Sequence, residues 1–265
     1  MKKQEHKQII SIDQFDEEIS LYQLLSPGAG RGLTHLKTIV NSILHNPEQE
    51  QRKPLSLLIV GKQGARTHGR SFIRALGLES INEIHALLLH ASHNAIHEFF
   101  NPLLPPQSFL ISSIDTLYSS ILKTLYEIVS TGKYAGYDYQ RGCKEVVAIH
   151  APVVLTAHKQ EKIPKYFQEG IDHIVRLEEY SEDQLELIVL QRLKYCGIDY
   201  EDEKVLSLIV DYGHSNLQNI IRLLKNSITL MLAGNRSVLT AGDVNKGRKI
   251  SILRVSPPPP PQIPF

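Results

Sequence analysis

The residues best placed to do chemistry lie between Gly61 and Ser71, where an apolar run stops at a glycine and a polar, glycine-punctuated segment begins. Such a loop holds phosphate when successive backbone N–H groups point at the oxygens, a lysine carries charge to the β and γ positions, and a Ser or Thr hydroxyl binds magnesium. Two frames fit the segment. In the direct frame, Gly61-Lys-Gln-Gly-Ala-Arg-Thr-His68, Thr67 takes the lysine position, His68 the hydroxyl position and Arg66 that of the preceding glycine, so all three roles are compromised. In the shifted frame, Gly64-Ala-Arg-Thr-His-Gly-Arg-Ser71, Gly64 and Gly69 have the required spacing, Arg70 stands for lysine and Ser71 supplies a hydroxyl, with a lengthened loop. That frame is able to hold an anion. The segment reads equally well as a loop-to-helix turn with the ordinary positive end of a helix.

A second group is His85, His90, His93 and His97, within one helical stretch, His93 and His97 having the i, i+4 spacing of a metal pair. With only Glu98 nearby and no HExxH order, these read as surface or packing histidines, and no metal site is expected. Cys143 and Cys196 are far apart and outside any CxxC spacing, so neither a zinc site nor a disulfide framework is indicated.

The elements that must position these residues follow from periodicity. Leu55–Val60 is a short, branched apolar run that reads as a buried strand, and a helical pattern through Phe72, Ile73, Ala75 and Leu76 follows the glycine-rich turn. Phe109–Ile111 and Val153–Leu155 read as further buried strands, with helical stretches such as Ile121–Val129 between them. Strands alternating with helices imply a parallel sheet covered on both faces. The segment around Gly142, flanked by aromatic and branched residues from Tyr134 to His150, reads as a hairpin. After about residue 180 the strand signal disappears and three helical patterns follow, the first opened by capping-box spacing at Ser181 and Gln184; Thr240 and Asp243 mark the start of a fourth. Pro257 to Pro261 close the chain with an extended tail that reads as a solvated end.

The 265 residues suffice for one large and one smaller domain, and 42% apolar with 22% charged residues is ordinary for a globular protein. No stretch approaches the roughly 20 apolar residues of a membrane span, and the basic start, Met1 to Lys7, is not followed by a signal core. A soluble, reduced, cytoplasmic protein is expected. The formal charge of +1 weighs against a chain whose main work is gripping nucleic acid.

Taken in order, several segments resemble one family. Phe109 to Tyr126 is similar to the Walker B strand and following helix of the RuvB branch-migration motors within the AAA+ class. Ala151-Pro-Val-Val-Leu-Thr-Ala-His158 resembles their sensor 1 strand, Ile171 to Ser181 their passage into the lid, and Asn216 to Leu224 their sensor 2 helix. The resemblance spans most of residues 9–250, and the family's C-terminal winged-helix DNA-binding domain has no counterpart. It implies an AAA+ P-loop-type parallel-sheet α/β domain over 1–178, a smaller all-helical lid over 179–250, and the proline-rich tail over 251–265.

Carried over residue by residue, the resemblance also implies a damaged site. Ser112 and Ser113 occupy the Walker B positions of the magnesium Asp and the catalytic Glu, and serine cannot be that base. Asp115, two residues on, reads as a helix N-cap. Gln218 sits at the sensor 2 arginine, Lys165-Tyr166-Phe167 replaces the arginine-finger region, and Thr156 or His158 holds the sensor 1 position. The cofactor implied is ATP or ADP with magnesium, held weakly. The function implied is a catalytically impaired subunit that binds or scaffolds in a DNA recombination, repair or replication assembly; an active DNA-dependent ATPase using Arg70 and Ser71, and a regulatory interaction module, are the alternatives. Expected partners are proteins, other AAA+ subunits or further copies of the chain, with weak or indirect DNA association and no membrane. The hairpin, with Tyr134, Tyr137 and Tyr139, is the candidate protein-facing surface, because the family's corresponding hairpin faces a partner protein, and it reads equally well as a hairpin packed on its own domain.

Overall fold

The computed structural model describes residues 31–45, 53–90, 95–101, 106–138 and 142–253, and the described residues fall into two compact units, one through Glu179 and one from Tyr180.

The first unit is organised by a five-stranded sheet in the order β2-β3-β6-β1-β7, formed by β1 (Ser56–Val60), β2 (Ile81–His85), β3 (Ser108–Ser112), β6 (Val153–Ala157) and β7 (His173–Arg176), every pairing parallel. The three inner strands are buried at every position, which is why they read as unbroken apolar runs. Alternate side chains then serve opposite faces. Leu57 and Ile59 join Leu110, Val154 and Val175 under α1 (Arg31–His45) and α2 (Ala65–Ala75), with Leu36 and Phe72 at the centre. Leu58 and Val60 join Phe109, Ile111, Val153 and Leu155 on the other face, covered by α3 (Ala95–Phe100), α4 (Ser119–Thr131) and α5 (Lys165–Glu169).

Two edge strands depart from the expectation drawn from sequence. β2 is half-buried up to its exposed last residue, His85, and β7 is buried only at Val175, so neither carries an apolar run. β7 lies inside the segment read as a passage into the helical unit. The predicted hairpin is present as antiparallel β4 (Lys133–Asp138) and β5 (Cys143–Ala148), with Gly142 at φ 65° in its turn. The helical stretch expected over the four histidines is instead the end of β2, a 3₁₀ turn over Ala86–His90, and α3; His93 lies outside the described residues. Among the described residues no group of three His, Cys, Asp or Glu is placed to hold a metal.

The second unit packs α6 (Glu182–Tyr195), α7 (Glu203–Tyr212), α8 (Leu217–Ala233) and α9 (Ala241–Leu253) around Leu185, Val189, Val205, Ile209, Ile220, Leu224 and Ile228. Ser181 and Gln184 form a reciprocal capping box, and Thr240 and Asp243 start α9 in the same way. The unit is not all-helical: β8 (Asp199–Tyr200) and β9 (Val238–Leu239) pair in parallel, a two-residue ladder too short to leave a periodic signal. No helix among the described residues is long and apolar enough to cross a membrane.

Candidate phosphate-binding edge

In an open parallel sheet, ligands sit beyond the carboxyl ends of the strands. Here that edge collects Gly61 after β1, Ser112 and Ser113 at the end of β3, and Ala157 and His158 at the end of β6. Gly61 N–H donates to the Ala157 carbonyl (2.9 Å), closing the edge between β1 and β6, and a Cβ on Gly61 would lie 2.9 Å from Leu177 Cβ. Gly64 caps α2 with φ 77°, a left-handed conformation that needs no strain in glycine, and the helix runs from Ala65 onward.

This helix start corrects the shifted frame. Gly69, Arg70 and Ser71 lie inside α2, not in a lengthened loop. Gly69 faces the sheet, where a Cβ would stand 3.1 Å from Leu110 Cδ1 and 3.3 Å from Val154 Cγ1, so its role is close helix–sheet packing. Ser71 is buried, and Arg70 donates through Nε to Glu83 on β2 (2.7 Å), a carboxylate that also binds Arg66. The turn that remains, Gly61–Gly64, carries Lys62, whose ammonium is paired with Glu179.

In the direct frame the decisive side chain is His68. It is 1% exposed, and its Nδ1 lies 2.8 Å from the Gly64 carbonyl, a contact that requires Nδ1–H as donor and leaves Nε2 as a bare, buried lone pair without a partner. Burial holds its pKa below the usual histidine range, so the ring is neutral at pH 7. A neutral ring thus occupies the place of a magnesium hydroxyl, and magnesium takes hard oxygen ligands. Thr67 beside it brings no charge.

On the opposite side the strand ends are closed by local hydrogen bonds. Ser112 Oγ donates to the Ile84 carbonyl (3.4 Å); Ser113, left-handed at φ 64°, donates its N–H to Thr156 Oγ1 (3.3 Å) and accepts at its carbonyl from Thr116 Oγ1 (2.8 Å). Asp115 is not the N-cap expected of it. Ser113 holds that place on the short 3₁₀ turn Ile114–Thr116, while Asp115, its side chain 5% exposed, accepts from the His158 backbone N–H (3.1 Å) and lies 3.6 Å from His158 Nδ1. That carboxylate is spent locking β6 to the turn after β3. The residues present do not fit a magnesium-nucleotide.

Lys165 is exposed at the first turn of α5, Tyr166 stacks edge-on against Tyr126, and Phe167 is fully buried core. Gln218 is exposed on α8 of the helical unit. Tyr134 is corrected from interface anchor to core: it is 2% exposed and its hydroxyl shares a hydrogen bond with His97 Nδ1 (3.0 Å). Tyr139 lies outside the described residues, and only the backbone of Tyr137 is described. Sequence reading missed the Glu83 clamp and the burial of His68, neither of which has a local signal.

His68 gives a pH dependence whose sign is fixed. Its folded pKa lies below the ordinary value of about 6.5, so its contribution is full above that pH and is lost as pH falls below it. His173, lowered mainly by burial, acts in the same direction. Urea midpoints should therefore drop between about pH 7 and pH 5, and His68→Gln should drop less. An equal drop in both proteins would remove His68 from this account.

No protein-family model matches the chain, and no curated protein does. Solved structures do. A mutant form of Thermotoga maritima RuvB superposes with TM-score 0.67 at 14% identity, covering 89% of this chain and 73% of that one. A second mutant form gives 0.65 at 14%, covering 87% and 71%. The structure titled as the Holliday junction branch migration motor gives 0.63 at 14%, covering 87% and 73%. The chain therefore has the AAA+ fold of these proteins.

Proposed function

We propose that this chain is a catalytically impaired, RuvB-like AAA+ protein that acts in the cytoplasm as a binding or scaffold subunit of a DNA recombination, repair or replication assembly. One observation carries the reading: the lysine, magnesium-hydroxyl and carboxylate positions all lack the groups that would hold or attack a nucleotide phosphate. The lysine position is Thr67, the magnesium hydroxyl is the buried neutral ring of His68, and both carboxylate positions are Ser112 and Ser113. The nearby cations Arg66 and Arg70 are engaged by Glu83. What the fold retains is its packed body, suited to holding neighbours, whether other AAA+ subunits or further copies of itself.

Calorimetry with ATP or ADP and magnesium tests it. Each missing charge-assisted phosphate contact weakens binding by roughly 1.5–3 kcal/mol, and about 1.4 kcal/mol is tenfold in affinity. With several missing, no binding in the micromolar range is expected. A micromolar dissociation constant would return the chain to the nucleotide-driven class.

A further inference from the structure

Several cations of the described residues are held by carboxylates: Lys53 by Asp172, Lys62 by Glu179, Arg66 and Arg70 by Glu83, Arg236 by Asp243. Single exposed lysines such as Lys123 and Lys194 make no ion pair among the described residues, but Lys246, Arg248 and Lys249 on α9 are grouped. They are exposed within four consecutive positions, and no carboxylate among the described residues forms an ion pair with them. The only acid on α9, Asp243, has a side chain 1% exposed and is taken by Arg236 and Thr240; Asp211, exposed on the neighbouring α7, makes no ion pair with the three.

Packing fixes where they point. Gly247 is pressed onto α8, where a Cβ would lie 2.6 Å from Ser227 Oγ. At about 100° per residue, Lys249 then faces away from α8, with Lys246 and Arg248 on either flank. Arg248 is held over the ring of Tyr212, 4.1 Å from its centroid, and Tyr212 in turn donates its hydroxyl to Asn245 (2.9 Å). A guanidinium placed on an aromatic face keeps its planar N–H fork for a phosphate, while an acid partner would have used it.

We propose that this face of α9 binds the phosphate backbone of nucleic acid without reading base sequence. The inference deepens the DNA part of the proposed function and rests on it for the class of polyanion. Asn245, the amide at hand for base edges, is already engaged by Tyr212, whereas closely spaced cations match a phosphate chain. A local patch of this kind is compatible with a whole-chain charge of only +1.

Three phosphate contacts set the salt dependence: log K should fall with log salt at a slope of about −2.7, or roughly 40-fold between about 50 and 200 mM. The experiment is fluorescence anisotropy of the full chain on a labelled duplex of arbitrary sequence across that range. Lys246→Gln with Lys249→Gln should reduce the slope by about two and weaken low-salt binding by at least ~10-fold, with thermal midpoint unchanged. Lys194→Gln with Lys204→Gln, which removes the same charge from exposed positions elsewhere, should leave the slope within ~0.5 of wild type. Equal losses in the two double variants would make the effect one of net charge and overturn the proposal. So would absence of wild-type binding at about 50 mM salt, or a loss confined to self-association in sedimentation, which would assign the face to an acidic protein surface. ATP turnover by the chain would sink the scaffold reading and leave the α9 slope standing.

Discussion

Phe72→Ala should lower the folding free energy by about 3–5 kcal/mol, a large share of the roughly 5–15 kcal/mol that holds a typical domain. Phe72 is fully buried on α2, packed in the cluster that joins Leu36 of α1 to Leu57, Ile59, Leu110 and Val154 of the sheet. Truncation removes the ring and leaves a cavity between helix and sheet, where Gly69 already packs closely on the side chains of Leu110 and Val154, so there is little room for collapse. Urea unfolding should show a lower midpoint with the slope retained; a loss under about 1.5 kcal/mol would mean that α2 is held in place by something other than this cluster. The helix behind this edge is thus anchored by apolar packing and by the Arg66–Glu83–Arg70 clamp.

How much of this was legible in the sequence depended on burial. β1, β3 and β6 are covered on both faces and wrote themselves as apolar runs, whereas the edge strands β2 and β7 need apolar residues on only part of their surface and carry Asn82, Glu83, His173 and Arg176. Their parallel pairing comes from neighbours far along the chain, which no local pattern encodes. The hairpin was readable from Gly142, but Tyr134 was not assignable to core or surface, because that depends on His97 and Phe100 of α3 packing over it.

The candidate site divides in the same way. That Ser112 and Ser113 stand where β3 ends is a matter of residue type and stood in the sequence. The choice between the two loop frames did not, because Gly64 and Gly69 look alike there. One takes a positive φ to start a helix, and the other makes room for Leu110 and Val154. Glu83 lies 17 residues from Arg66 and 13 from Arg70, and only the placement of β2 beside α2 brings them together.

Steady-state turnover measures directly whether this edge hydrolyses ATP, and none above background is expected. Removing a general base typically lowers a rate by about 10²–10⁴, and an absent arginine finger by about 10³–10⁵. The defects act on one transition state and are not additive, so restoring Ser112→Asp and Ser113→Glu alone should yield no activity. Against a common turnover of about 10 per second, the full chain with magnesium and ATP should stay below ~10⁻³ per second, unchanged by a Holliday junction and by Arg70→Ala. Turnover near ~1 per second, raised by the junction and abolished by Arg70→Ala, would contradict the account and make the chain a working motor.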